Sequence, residues 1–339
     1  MRAIAGEQGP MSSTQCRITE LWRHPVKSMG GESLESLELR PLGVHGDRLW
    51  ALHDVERDTT ISARRLPAVL GFSARFAAPP GPDAGPGRVP AVILTAPDGS
   101  EHHSDDPQIH SAVSARLDRD VRLIPLPDDP RAHRLSWRER MTSLTPGALA
   151  RDLGIASDEK LPKVSDMNAR ALSTLTRNAT PPGTFVDLCP VHIITETSVA
   201  TIAAAMGVEH LDPRRFRPNL ILAGDFGADG LPEARWPDAT LDLGDARMRV
   251  VMRTVRCVVP SRAHVGLPVE AGLTRAVATT ADRYLGVYAD VIRSGRVRVG
   301  DSLTITPPSP PSAPRRLARR GRVLAFDSAN RVAELLRRG

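Results

Sequence analysis

Through much of the chain, apolar and polar residues alternate with a period of two, the mark of half-buried strands. Cys16 to Trp22 alternates this way and runs into His24-Pro25-Val26-Lys27-Ser28. Pro25 holds the preceding residue extended, which places Lys27 and Ser28 at a strand end or turn. Ser33 to Leu39 predicts a strand with one register break, and Arg48 to His53 follows the turn Gly43 to Asp47. Val69 to Phe76, Val92 to Thr95 and Val121 to Leu126 predict further strands, with one helix at Gln108 to Leu117.

A second block opens at Phe185-Val186-Asp187-Leu188-Cys189-Pro190-Val191-His192-Ile193-Ile194. Val199, Ile202 and Met206 share one face of a helix predicted over Glu196 to Met206, which Gly207 stops. Strands are predicted at Asn219 to Ala223, Thr240 to Leu243, Met248 to Thr254 and Tyr284 to Ile292, with a single closing strand at Val297 to Ile305. The fold class is therefore α+β and mostly β, not a doubly wound parallel sheet. Neither a Gly-x-Gly-x-x-Gly turn nor a Walker loop follows any strand. The pattern divides the chain into 16–126, a partly structured connection over 127–182, a second domain over 183–306, and a Pro-rich breaker with a basic tail over 307–339. Weak helical patterns occur at Pro146 to Leu153 and Val323 to Leu336.

Composition narrows the classes. At 339 residues, 41% hydrophobic and 25% charged, the chain is long and apolar enough to bury a sizeable core. It contains no run of 18 apolar residues for a membrane span, and Met1 to Gln15 lacks the apolar stretch of a secretory signal. The cytoplasm is the expected location. The net charge of +6 comes from the tail, where Ala313 to Gly339 carries eight arginines against Asp327 and Glu334. Residues 1–312 balance at zero. With aromatics at 4%, nucleic acid is not an expected partner. Three widely spaced cysteines, Cys16, Cys189 and Cys257, exclude a disulfide framework and a Cys-x-x-Cys metal pattern.

Three segments carry candidate chemistry. Cys257 ends the apolar stretch from Val250, beside Arg256 and near Arg253 and Arg262. Neighbouring guanidinium groups favour a thiolate, suited to nucleophilic attack or to a soft metal, whereas taken alone a small core residue is the better reading. Lys27 and Ser28 with Arg48 could hold a phosphate at adjacent strand ends, or could be surface turns. Arg217 and Asn219 in Phe216-Arg217-Pro218-Asn219 could bond a planar heterocycle, or could be structural. Two further arrangements rank below these. Glu101 to Asp106 holds metal-type ligands but follows the turn Pro97-Asp98-Gly99, and Cys257 with His264 lacks an orienting acid.

Taken together, the segments resemble the MOSC-domain family, the molybdenum-cofactor-binding proteins that include the mitochondrial amidoxime-reducing component and its bacterial relatives. The resemblance runs from about Ile18 to Ile305. Its landmarks are Pro25-Val26-Lys27-Ser28, Gly46-Asp47-Arg48-Leu49-Trp50, Phe216-Arg217-Pro218-Asn219, Arg256-Cys257 and Gly295 to Leu303, in that order. It implies an N-terminal β-barrel-like domain followed by a β-barrel-type MOSC domain with a few helices. Cys257 would ligate molybdenum and be the catalytic residue. Lys27, Ser28 and Arg48 would hold the pterin phosphate and neighbouring polar groups. Arg217 and Asn219 would bind the cofactor from the second domain, with Arg256, Cys189 and Tyr288 as further contacts.

The implied activity is a molybdenum-cofactor oxidoreductase acting on an N-hydroxylated or oxide small molecule. The alternatives are a sulfur carrier with a Cys257 persulfide, or a non-catalytic cofactor carrier. Family members also occur joined to pyridoxal-phosphate-dependent cofactor sulfurases, whose enzyme portion this chain lacks. No cysteine follows Cys257, so no appended iron–sulfur domain is expected and electrons would come from a separate donor protein. After Arg256-Cys257, where relatives often place Thr-Thr and an acid, this chain has Val258-Val259-Pro260-Ser261-Arg262-Ala263-His264.

Overall fold

The computed structural model describes residues 13–129, 155, 180–227 and 230–308. The weak helical patterns at Pro146 to Leu153 and Val323 to Leu336, most of the connection and the basic tail lie outside the described residues. Most described elements are strands, and seven of them close a barrel.

The barrel is built from β1 (Thr14–Arg23), β11 (Val191–Thr195), β12 (Leu220–Gly224), β13 (Thr240–Leu243), β14 (Ala246–Val255), β15 (Tyr284–Arg293) and β17 (Ser302–Thr306). Their order is β12-β11-β15-β14-β13-β17-β1, and β1 returns to pair with β12. The first strand thus lies between two strands of the second block, Cys16 opposite Leu303 on one side and Gly224 on the other. Full closure leaves no exposed barrel edge. The period-two pattern points Ile18, Val191, Ile193, Leu220, Leu222, Val250, Val287 and Ile305 into one core. On the outer wall, Ile194, Ile221 and Leu285 pack under α2 (Glu196–Met206) and α3 (Leu273–Ala281).

Helix α2 begins where Thr195 caps it, its hydroxyl accepting the Ser198 N–H at 3.1 Å, and ends at Gly207 with φ +70°. The buried carboxylate of Glu233 also accepts the Thr195 N–H, at 2.5 Å, and the Ser198 hydroxyl. Burial raises its pKa, and these donors pull against that rise.

A second core gathers the rest of the first block, including β5 (Trp50–Asp54), β7 (Ser73–Phe76), β8 (Val92–Thr95), β10 (Val121–Pro125) and α1 (Ile109–Leu117). Small sheets complete it. β6 (Thr59–Thr60) extends β5, and β9 (Glu101–His103) extends β8. β3 (Ser36–Arg40) lies between β4 (Gly43–Val44) and β16 (Gly295–Arg298), which ties the first block to the last. β2 (Glu32–Ser33) pairs with the end of β1. The register break expected between Ser33 and Leu39 separates β2 from β3.

Three elements differ from the sequence pattern. Val69 to Phe76 is not one strand. Pro67–Gly71 forms a single 3-10 turn and only Ser73–Phe76 is extended. Pro67 fixes a helical φ at the first position, which the apolar run alone does not reveal. Val297 to Ile305 is likewise broken. Gly300, at φ +89°, turns the chain between β16 and β17, which pair with different partners. Helix α3 was not predicted, although Leu273, Ala276, Val277 and Ala281 follow helical spacing and are all buried.

Candidate functional site

Cys257, Lys27, Ser28, Arg48, Cys189, Arg217, Asn219, Arg256 and Tyr288 line one pocket between the two cores. About 230 Å³ of it is open to water, far more than a lone ion requires. The first block contributes Lys27, Ser28, Arg48 and the turn Ser62-Ala63-Arg64. The barrel's outer wall contributes the other side. On β11, Val191 and Ile193 face the barrel core while His192, between them, reaches the pocket.

Three pocket residues hold backbone that their side chains disfavour. Ser28, Arg48 and Arg217 have φ of +69°, +52° and +53°. Non-glycine residues in this left-handed region cost about 1–2 kcal/mol each and cluster where geometry serves a function. Here the three turns point a hydroxyl and two guanidinium groups into one cavity. Neighbouring bonds hold those turns. The buried Asp47 carboxylate accepts the His24 N–H at 2.7 Å and pairs with Arg48, and the Arg48 N–H donates to His24 O at 2.6 Å.

The cations differ in how they are engaged. The Lys27 ammonium is buried, donates to Phe185 O at 3.0 Å and pairs with the exposed carboxylate of Asp187. Burial lowers its pKa, while Asp187 pulls it back up. Arg256 is committed to protein. Its Nε donates to Leu285 O at 2.8 Å, Nη1 to Phe216 O at 3.2 Å, and Nη2 to His192 Nε2. Arg215 donates to Arg262 O at 3.2 Å and Pro268 O at 2.8 Å, which fixes the loop that follows Cys257.

Arg217 stands apart. Its Nη1 donates to Met29 O, but its buried Nη2 has no hydrogen-bond partner. Burial, with Arg48 adding repulsion, brings its pKa down to about 9. An orphaned guanidinium N–H in a cavity is a strong call for an acceptor, since burying it unpaired is costly. Asn219, by contrast, accepts the His192 N–H at 3.0 Å and donates to Trp22 O at 3.2 Å, so its amide clamps β11 to β1. One amide N–H and one oxygen lone pair remain beyond those two bonds.

Sequence reasoning placed the Cys257 pKa below that of a free thiol, and the structure corrects this. Burial dominates and raises it, against the opposing pull of Arg64, the Val259 N–H and Arg256. The nearest arginine in sequence, Arg256, spends its donors on carbonyls and His192, which the sequence could not show. His264 is no base for this thiol. Its Nε2 lies 3.1 Å from Val259 O, and burial brings its pKa down to about 4. The Glu101 to Asp106 group lies elsewhere, with Glu101 on β9 and paired to Arg75. Among the described residues, no group of three His, Cys, Asp or Glu could hold a metal ion by itself.

Sequence reasoning missed His192, Asp187, Arg64 and Arg215. The signal available was His192 and Asp187 in an otherwise apolar run, a polar residue where the pattern calls for an apolar one. His192 accepts from Arg256 at Nε2 and lies 3.3 Å from Arg217 O at Nδ1, so its Nδ1 carries the proton. Burial, then the charge of Arg256, holds its pKa well below 6.5, and burial does the same to His24. Both rings stay neutral in the folded chain while unfolded histidines protonate as the pH falls through 6.5. Stability therefore decreases on acidification below that value, by up to about 1.4 kcal/mol per pH unit for each ring. The thermal midpoint is expected to drop steadily from pH 6.5 to 5, and less steeply in His192→Gln. A flat profile would mean that the rings take up protons without leaving the fold.

Residues 181–304 match the family model for the MOSC domain, and residues 15–108 match that for the MOSC N-terminal beta barrel domain. Among solved structures, the YuaD protein APC1665 from Bacillus subtilis is 13% identical, with 88% of this chain and 99% of that chain covered at a TM-score of 0.41. YiiM from Geobacillus stearothermophilus is 18% identical, with 35% and 54% covered at a TM-score of 0.28. No match is found among curated proteins.

Proposed function

The chain belongs to the MOSC-domain family, and on that premise we propose that it is a molybdenum-cofactor-dependent oxidoreductase that reduces an N-hydroxylated or N- or S-oxide small molecule. The observation that carries this reading is the sharing of one cationic pocket by the Cys257 thiol and Arg217, whose buried Nη2 has no hydrogen-bond partner. A soft sulfur ligand beside an unanswered anion donor fits a metal carried on an anionic organic group.

The residues divide the work. Cys257 supplies the metal ligand, and the loop behind it is fixed by Arg215, so the sulfur is presented in one place. Lys27, Ser28, Arg48 and Arg217 hold the phosphate, the first through an ammonium that Asp187 occupies here. Asn219, Arg256 and His192 keep β11, β12 and β15 in register behind the cavity. Cys189 and Tyr288 also line the cavity, Tyr288 beside His192, and burial raises the Tyr288 pKa, so its phenol keeps a proton that it can donate at the site. The bound cofactor supplies a metal that changes oxidation state, so that two electrons from a separate donor protein and two protons convert N–OH to N–H and water.

Molybdenum and pterin determinations on the purified full-length chain test the reading, with Arg217→Gln beside the wild type. Near-stoichiometric metal and pterin are expected in the wild type. A 10-fold or greater loss of both is expected in the variant, since an anion bond from a buried arginine carries roughly that weight. Protein that contains cyanide-labile sulfur but no molybdenum would overturn the proposal in favour of a sulfur carrier using a Cys257 persulfide. Full cofactor occupancy without turnover from an artificial electron donor would leave a cofactor carrier.

A further inference from the structure

The ammonium proposed to meet the cofactor phosphate already has an anion. The Lys27 side chain is 6% exposed and that of its ion-pair partner Asp187 is 68% exposed, so the pair runs from the interior out to solvent. Among the described residues, Lys27 is the one hydrogen-bond partner of that carboxylate. The ammonium also donates to Phe185 O at 3.0 Å, so two of its three donors go to one short segment.

A second acid close by is held differently. Asp47 pairs with Arg48, but its carboxylate is buried and also accepts the His24 N–H at 2.7 Å, which builds it into the fold. Asp187 lies in neither helix nor strand, in the bends that lead into β11. Water can solvate its carboxylate as soon as the pair parts. Val186, Asp187, Leu188 and Cys189 all line the cavity, so the segment tied to Lys27 is one of its walls.

A phosphate dianion brought to Lys27 would face the Asp187 carboxylate at close range. Like charges on one ammonium repel, and a water-facing ion pair is cheap to give up. We propose that Asp187 is an internal competitor for the cofactor phosphate, holding the Lys27 ammonium until the dianion displaces it together with the wall that carries Leu188 and Cys189. The inference rests on the reading of this pocket as a cofactor site, and adds that loading loosens one wall. Lys27 keeps an anion throughout, so its buried charge is never left alone.

Two measurements decide it, both on the full-length chain made in a host that lacks the cofactor pathway. The probe is inorganic phosphate in its dianionic form, with chloride to hold the ionic strength constant, and melting curves establish that the variants fold. In calorimetric titrations, Asp187→Asn should bind phosphate about 10-fold more tightly than the wild type, because it keeps the size and an oxygen for the ammonium but removes the charge. Asp187→Glu, which keeps the charge, should stay within about 3-fold of the wild type. Asp187→Asn affinity equal to or below the wild type's overturns the proposal, since a carboxylate that positions Lys27 for its ligand would weaken binding when lost. A gain in Asp187→Glu as large as in Asp187→Asn would trace the effect to shape and overturn it, as would no phosphate binding by any of the three.

The second measurement needs no variant. Amide hydrogen exchange over Val186 to Cys189 should become about 3-fold faster when phosphate is added to the wild type, the reverse of the protection that a ligand usually gives. Exchange that slows or does not change overturns the proposal. If the chain from a cofactor-producing host contains no pterin, the cofactor reading fails by itself, and the phosphate titration still decides whether Asp187 competes at Lys27.

Discussion

Cys257→Ala is expected to strip the protein of molybdenum while leaving its fold in place. Changes to the outer shell of a metal site already cost about 10–100-fold in affinity, so removal of the sulfur ligand itself should cost at least about 100-fold. Metal analysis should find under about a tenth of the wild-type content, and reductase turnover should fall with it. The fold should survive because the loop does not depend on the sulfur. Arg215 ties Arg262 O and Pro268 O to the barrel, and the Val265 N–H donates to Leu70 O at 3.0 Å across to the first core. Loss of the side chain should cost about 1 kcal/mol, the usual scale for a small substitution. Cys16→Ala is the matched control, since Cys16 is buried in the barrel core away from the pocket. Equal molybdenum in the two variants would remove Cys257 from the ligand role.

Gly286→Ala should have a large effect on stability. Gly286 lies within strand β15 at φ +75°, where an L side chain is strained before it touches anything. Its Cβ would lie 2.6 Å from Ile193 O, 2.9 Å from His192 Nε2 and 3.2 Å from Arg256 Nη2. The first is backbone in the adjacent strand and cannot swing aside. The others belong to the His192–Arg256 pair, which would have to separate, leaving one buried nitrogen of the ring and one of the guanidinium without its partner. Strain, overlap and a broken buried pair together amount to about 3–5 kcal/mol. A drop of about 10 °C in the thermal midpoint is expected, together with loss of cofactor. A midpoint within 2 °C of the wild type would show that β15 can move away from β11 at this point.

How much of this was legible beforehand depended on what each residue's neighbours in sequence could reveal. Strands with one buried face announced themselves by alternation, and α2 by its spacing and its Gly207 stop. The pocket residues were legible because Lys27, Ser28, Arg48, Arg217 and Cys257 lie in short motifs of a known family. Engagement was not legible. Arg256 sits next to Cys257 in the chain, yet its guanidinium is turned to Leu285, Phe216 and His192, residues 29, 40 and 64 positions away. Arg64 is distant in sequence yet lines the same pocket. Asn219 offered an amide for a heterocycle, and the fold spends much of it on two strands. Contacts between residues far apart in sequence decide which polar group remains to meet a ligand, and periodicity carries no record of them.

The placement of β1 reaches beyond geometry into the order in which the molecule can be made. Its neighbours β12 and β17 begin at Leu220 and Ser302, so among the described strands the first waits for the last before the barrel can close. Until β17 arrives one edge of β1 stays open, and such long-range pairing is slow to form and exposed to aggregation. The His192–Arg256 pair forms only once β11, β14 and β15 are in place. The same adjacency brings Thr14 beside Ile305. A short linker between those two strands, with new ends opened in an exposed loop, would turn the slowest closure in the molecule into a local one.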